Sequence, residues 1–231
     1  MKYVFISPHI DDALLSVGGL IINLINEKKQ VNIKYIFTIS NWTNPEAITE
    51  KTYVSDPVII SKIRKSEEMG ISLVLKYEYD FLDYLDNPLR RELRKEEQEL
   101  MIYKLRKQLE QLINKNDCYF FPLGLDHPDH ILVREMGIDF LKKGFNILFY
   151  EDMPYLTSGK YDKREFYNAI TKMGLVPEET FIDFEMKRSL LFKYESQVSH
   201  SWIKDMMNYS YNIERNSYVE RWWKPVHGKE I

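Results

Sequence analysis

Two periods of apolar spacing run along this chain, and they predict alternating strands and helices. Residues 2–6 are mostly apolar and end at Ser7-Pro8, the pattern of a short buried strand. Leu14, Leu15, Val17, Ile21, Ile22, Leu24 and Ile25 then fall at helical spacing and predict a helix over 13–27. Residues 31–39 alternate and then become continuously apolar, which predicts a second strand. Residues 41–57 form a loop marked by Asn-Trp-Thr-Asn-Pro, and 58–75 a helix. Further strands are expected at 76–82, 117–122 and 145–150, with helices at 93–113 and 130–142. Residues 181–184 predict a sixth strand and 186–197 a last helix. Beyond Ile203 the pattern assigns no element.

Strands alternating with helices predict a mainly parallel sheet with right-handed crossovers, an α/β, Rossmann-like fold of three layers. No internal repeat, low-complexity tract or linker interrupts it, so residues 1–231 are expected to form one domain. In a sheet of order 3-2-1-4-5, strands one and four are neighbours. The crevice beyond their carboxyl ends is the usual ligand site.

Composition narrows the function classes. The chain has 44% hydrophobic and 29% charged residues, a globular balance, and a net charge of -3 that gives no reason to expect nucleic acid. A single cysteine, Cys118, excludes a disulfide framework within the chain and a four-cysteine metal site, and it fits a cytoplasmic setting. The start carries no secretory signal, and the uncharged stretch 13–26 is too short to span a bilayer. Aromatic residues cluster in the last third, among them Tyr209, Tyr211, Tyr218, Trp222 and Trp223. Core packing explains them best; a sugar-stacking or subunit-contact surface is the alternative, and a homo-oligomer stays open.

The chemistry lies in two short motifs. Ser7-Pro8-His9-Ile10-Asp11-Asp12-Ala13 joins the first strand to the first helix, and His127-Pro128-Asp129-His130 follows the fourth strand. Burying one unpaired polar group costs about 2–7 kcal/mol, so a histidine beside two carboxylates calls for partners. A metal ion is such a partner: a catalytic zinc takes three protein ligands and keeps one open position. His9 and Asp12 are three residues apart and can converge on one ion while Asp11 points elsewhere, and His130 completes two imidazoles and a carboxylate. Three of the five histidines lie in these motifs. The alternative is that Asp11 or Asp12 merely caps the helix.

Together, PHIDDA and HPDH resemble the LmbE-like, or PIG-L, family of zinc-dependent N-deacetylases, whose motifs are Pro-His-x-Asp-Asp-Glu and His-x-Asp-His. The likeness covers most of the chain. Arg64 with Glu67 or Glu68 is similar to the family's Arg-x-x-Glu helix, and KRSLLFKYESQ to a late helix ending in Ser-Gln. The resemblance implies one Zn2+ per chain on His9, Asp12 and His130. It implies Asp11 as the base that deprotonates the attacking water, and His127 as oxyanion donor and acid. Asp129 would orient a histidine. The implied reaction removes an N-acyl group, most simply acetyl, from an amino sugar or glycoconjugate. Ala13 stands where the family commonly has Glu, a supporting position outside the ligand set.

Arg64, Trp42, Glu151 and Asp152 are the candidate substrate-binding residues. Arg64 could instead pair with Glu67 or Glu68 on a helix surface, Trp42 could cover the core, and the stretch Glu151-Asp152-Met153-Pro154-Tyr155, which follows the fifth strand at the same sheet end and is expected to line the site, could be an ordinary acidic loop. His200 and His227 are expected at the surface. Rival readings are a phosphoesterase, a pseudoenzyme suggested by Ala13, and a dinucleotide-binding domain. The chain has no GxGxxG after strand one, and Gly18-Gly19 lies well inside the helix instead. Ferrous iron accepts the same ligand types as zinc.

Overall fold

The computed structural model describes residues 1–44, 56–159 and 162–226. Five parallel strands make the central part of the sheet: β1 (Lys2–Ser7), β2 (Gln30–Tyr35), β3 (Glu78–Phe81), β4 (Cys118–Pro122) and β5 (Ile147–Tyr150). Their order is β3-β2-β1-β4-β5, as expected, so β1 and β4 are direct neighbours. The order continues through β8 (Ser217–Pro225) to β6 (Leu175–Ile182). β8 runs antiparallel to both β5 and β6 and also pairs with the short β7 (Tyr211–Asn212).

Side chains alternate across the sheet into two cores. Phe5 of β1 and Phe120 of β4 face one side, where α1 (Asp12–Asn26), α2 (Pro57–Leu75), α7 (Phe184–Leu191) and α8 (His200–Ser210) contribute Leu14, Ile71, Leu190 and Ile203. Val4, Ile6 and Phe121 face the other. There α4 (Lys95–Leu112), α5 (Pro128–Lys142) and α6 (Lys163–Lys172) supply Leu105, Val133 and Ile170. A one-turn α3 (Asn87–Arg90) precedes α4. The result is the three-layer α/β fold the pattern predicted.

Elements beyond β5 depart from expectation. The sixth strand is not residues 181–184 but Leu175–Ile182, with alternating burial and Pro177 inside it. Pro and the Glu178-Glu179 pair weaken the strand signal, and an outer strand tolerates both. The last predicted helix begins two residues early and stops at Leu191, so Ser196 and Gln197 lie in a turn. The unassigned tail forms α8 and β8, and its tryptophans pack: Trp223 is buried, and Trp222 meets Phe120 edge-on. Part of the loop at 41–57, and His227, lie outside the described residues. His200 is exposed beside the Phe192 ring.

Helix α1 is kinked at Val17, whose φ of -132° and ψ of 30° leave the helical region. A buried ion pair takes up the interrupted hydrogen bonds. Lys187 Nζ donates to Leu15 O at 2.7 Å and to Glu220, while Gly19 N–H and Leu20 N–H donate to the two Glu220 oxygens. Gly19 is required here: a Cβ would sit 2.4 Å from Ile182.

Candidate metal and active site

Both motifs emerge at the carboxyl ends of adjacent strands β1 and β4. Asp11 occupies the N-cap position of α1, yet its carboxylate makes no capping bond, so the capping alternative does not account for it. Asp12 Oδ2 instead accepts from His9 N–H at 2.7 Å, which folds the motif back on itself. In the second motif α5 starts at Pro128, two residues earlier than the pattern predicts, because proline suits the first helical position. His127 is thereby the N-cap, and its Nδ1 accepts from Asp129 N–H at 3.2 Å. A ring nitrogen that accepts from a backbone N–H carries no proton, so in the neutral ring the proton is on Nε2.

The side chains converge. His9 Nδ1 and His130 Nε2 each lie 3.0 Å from Asp12 Oδ2. The outer nitrogens rest on other carboxylates: His9 Nε2 is 3.1 Å from Asp129 Oδ2, and His130 Nδ1 is 2.5 Å from Asp152 Oδ1. Asp129 is itself held by Arg90 and by Asn87 N–H. His130 Nε2 is buried and has no hydrogen-bond partner in acceptable geometry, although a carboxylate oxygen is adjacent. A nitrogen lone pair aimed beside an oxygen rather than along a hydrogen bond is how two ligands share an ion. Imidazoles backed by carboxylates are the usual support of such ligands. The donor set therefore fits a divalent metal. Ring nitrogens of His9, His127 and His130 also lie within 4.8 Å of one another and offer a second three-ligand set.

The electrostatics match a cation site. Burial disfavours charge on His9 and His130, but Asp12 with Asp129, and Asp12 with Asp152, outweigh it and raise the two rings to about 9 and about 10. Protons thus occupy the lone pairs when no metal does. Asp12 is held well below its ordinary value: burial opposes this, and the His130 and His9 charges prevail. Asp129 falls to about 2, with burial outweighed by His9 and Arg90. Asp11 differs, because burial and the neighbouring Asp12 carboxylate raise it. His127 drops to about 4 through burial and through the charges on His9 and His130.

A cavity of about 500 Å³ opens over this cluster, and His9, Asp11, Asp12, Arg64 and His127 reach it. Arg64 is buried rather than paired on a helix surface. Its Nε donates to Gln197 Oε1 at 2.6 Å, and its Nη2 lies 3.5 Å from Asp11 Oδ1. Glu67 binds Ser196 and Gln197, so the Arg-x-x-Glu helix and the Ser-Gln turn meet behind Asp11. Trp42 lines the cavity, stacked on Trp202 at 6.3 Å and 8°.

Glu151 and Asp152, expected at the pocket, lie behind it instead. Glu151 is buried and accepts from Tyr209 OH and Trp223 Nε1, while Asp152 backs His130 and accepts from Leu125 N–H. Of the stretch expected to line the site, Pro154 and Tyr155 do reach the cavity. Glu68 holds the hydroxyls of Tyr77 and Tyr194 and faces the core. The residues that sequence reasoning missed are Asp86, Trp202 and Asp205 on the cavity wall and Arg90 behind it. No motif marks them, because loop and tail segments far apart in sequence bring them together.

The chain is similar to several known proteins. A family model described as PIG-L, GlcNAc-PI de-N-acetylase, matches residues 4–141. A 2'-N-acetylparomamine deacetylase from Niallia circulans is 21% identical over 184 residues, 66% of this chain and 67% of that protein. Among solved structures, an antimicrobial pseudoaglycone deacetylase superposes with a TM-score of 0.73 at 18% identity, covering 100% of this chain and 99% of that one. An N,N'-diacetylchitobiose deacetylase from Pyrococcus horikoshii gives a TM-score of 0.64 at 18% identity, covering 97% and 84%. At such identities the structural likeness establishes the fold.

Proposed function

The chain belongs to the PIG-L family of de-N-acetylases, which are amide hydrolases, and from that premise we propose that it is a zinc-dependent hydrolase that removes an N-acyl group, most simply acetyl, from an amino sugar or glycoconjugate. The observation that carries this reading is the convergence of His9 Nδ1 and His130 Nε2 on Asp12 Oδ2 beneath an open cavity. His9, Asp12 and His130 would hold the ion. His127 is the weaker ligand candidate, because its Nδ1 is already engaged and its Nε2 carries the proton. When bound, zinc supplies Lewis-acid polarisation of the acyl group and acidifies water.

The protein's own groups do the rest. Asp11 lies off the ligand set at the cavity floor, and its raised pKa suits a proton acceptor. It takes one proton from the attacking water. Arg64 and Gln197 hold that side of the site in place. His127 lines the cavity, and its Nε2–H donates to the acyl oxygen as negative charge develops there. The proton collected by Asp11 passes to the leaving nitrogen. The C–N bond breaks, giving a free amine and a carboxylic acid that ionises.

Elemental mass spectrometry of the purified protein, run alongside amine release from a panel of N-acetyl amino sugars, tests this. The expected result is about one zinc per chain and release that a chelator abolishes. Asp11→Asn should retain the metal and lose about 10²–10⁴ in kcat, whereas His130→Ala should lose both. Full activity in Asp11→Asn would remove the base assignment. Failure to bind metal after reconstitution would overturn the reading.

A further inference from the structure

The cavity wall away from the metal cluster has an uneven charge. Asp86 is 3% exposed, lines the cavity, and uses Oδ1 to cap α3 through Leu89 N–H at 3.3 Å. Among the described residues no donor meets its Oδ2. Asp205, exposed on α8, lines the same cavity, and among the described residues neither carboxylate has a cation partner. Among the described residues Arg64 is the one Arg or Lys on the lining, and it is already committed to Gln197 and Asp11. The parallel indoles of Trp42 and Trp202 line the same cavity, an aromatic surface that suits the C–H side of a sugar ring and a nearby ammonium. An anionic or phosphorylated substrate would meet repulsion from Asp86 and Asp205 and, among the described residues, no free positive side chain. A buried carboxylate with an unused oxygen on a cavity wall is instead a cation acceptor.

Resting on the deacetylase reading, we propose that the substrate carries a second, unacylated amino group besides the acylated one. The unused oxygen of Asp86 accepts its ammonium, Asp205 adds negative charge to the same cavity, and the stacked Trp42–Trp202 pair packs against the sugar. The enzyme thus acts on polyamino sugars in preference to neutral N-acetyl sugars.

A matched pair isolates that one charge: N,N'-diacetylchitobiose, which is neutral, and mono-N-acetylchitobiose, which differs by one free amine. Wild-type zinc-loaded protein should show about tenfold higher kcat/KM for the monoacetyl sugar. The preference should shrink as salt rises and fall toward unity in Asp205→Asn and Asp86→Asn. Asparagine also caps helices, so the second variant keeps α3. Calorimetric binding of fully deacetylated chitobiose needs no turnover, and it should weaken about tenfold in each variant. Equal or better cleavage of the diacetyl sugar would overturn the amine preference and leave the hydrolase reading intact. If neither sugar is cleaved, the binding measurement decides: loss of affinity in the variants upholds the ammonium site and places the failure in the hydrolase reading, and unchanged affinity removes the site.

Discussion

Asp152→Asn tests whether this carboxylate supports His130 or meets substrate. The two oxygens of Asp152 serve two donors: Oδ1 lies 2.5 Å from His130 Nδ1, and Oδ2 accepts from Leu125 N–H at 3.2 Å. The side chain is fully buried, so water cannot substitute. Asparagine has almost the same shape but one oxygen. If that oxygen faces His130, the amide NH2 confronts Leu125 N–H, and a buried donor goes unpaired at about 1–3 kcal/mol. If it faces Leu125, the NH2 confronts Nδ1. That ring nitrogen must then accept, and the proton moves to Nε2, the atom 3.0 Å from Asp12 Oδ2 that should bind the ion. Both arrangements weaken the site. Loss of such support typically lowers metal affinity about 10–100-fold, or roughly 1.4–2.7 kcal/mol. Titration with a competing chromophoric chelator measures it directly. Zinc affinity within about twofold of wild type, the size of ordinary surface effects, together with a raised KM, would refute the reasoning and return Asp152 to the substrate pocket.

Lys187→Met leaves the Glu220 charge and the Leu15 carbonyl buried without their partner; breaking such a pair should cost about 3–5 kcal/mol and lower Tm by roughly 6–20 °C. A loss below about 1 kcal/mol in urea unfolding would mean the pair is dispensable. Burial raises the Glu68 carboxyl to about 7, even though Tyr194, Tyr35 and Tyr77 hydroxyls pull it down. Between its ordinary 4.5 and 7 the native state therefore binds more protons than the unfolded chain, and stability falls as pH rises. Glu68→Gln should remove that slope, so the difference from wild type should change by about 3 kcal/mol between pH 4.5 and pH 8; a constant difference would show that Glu68 does not titrate in this range. Gly19→Ala places a methyl against Ile182 and should cost about 1–3 kcal/mol, whereas Gly18→Ala, whose Cβ would meet Lys187 at 3.5 Å, should stay within about 1 kcal/mol on thermal melting.

The sequence alone determined the α/β class, the order of the first five strands and the two motifs of the site. The physical reason is locality. Apolar period specifies a buried strand or an amphipathic helix within a few residues, and motifs at strand ends go wherever the strands go. His9, Asp11 and Asp12 are neighbours in the chain, as are His127, Asp129 and His130, so one strand pairing between β1 and β4 brings the site together.

The tertiary structure decided what depends on distant partners. β8 joins the sheet only because β5 and β6 flank it, and β6 is a strand despite Pro177 because β8 offers a ladder. Asp152 became a support for His130 and Glu151 a packing residue because the chain at the end of β5 runs behind the histidines. Arg64 found Gln197 across 133 residues, and Trp42 found Trp202. Asp86 and Asp205 come to share one cavity only after a loop following β3 and a late helix close over it. No local period records such meetings, since each is set by the packing of whole elements and by the need of every buried charge for a partner.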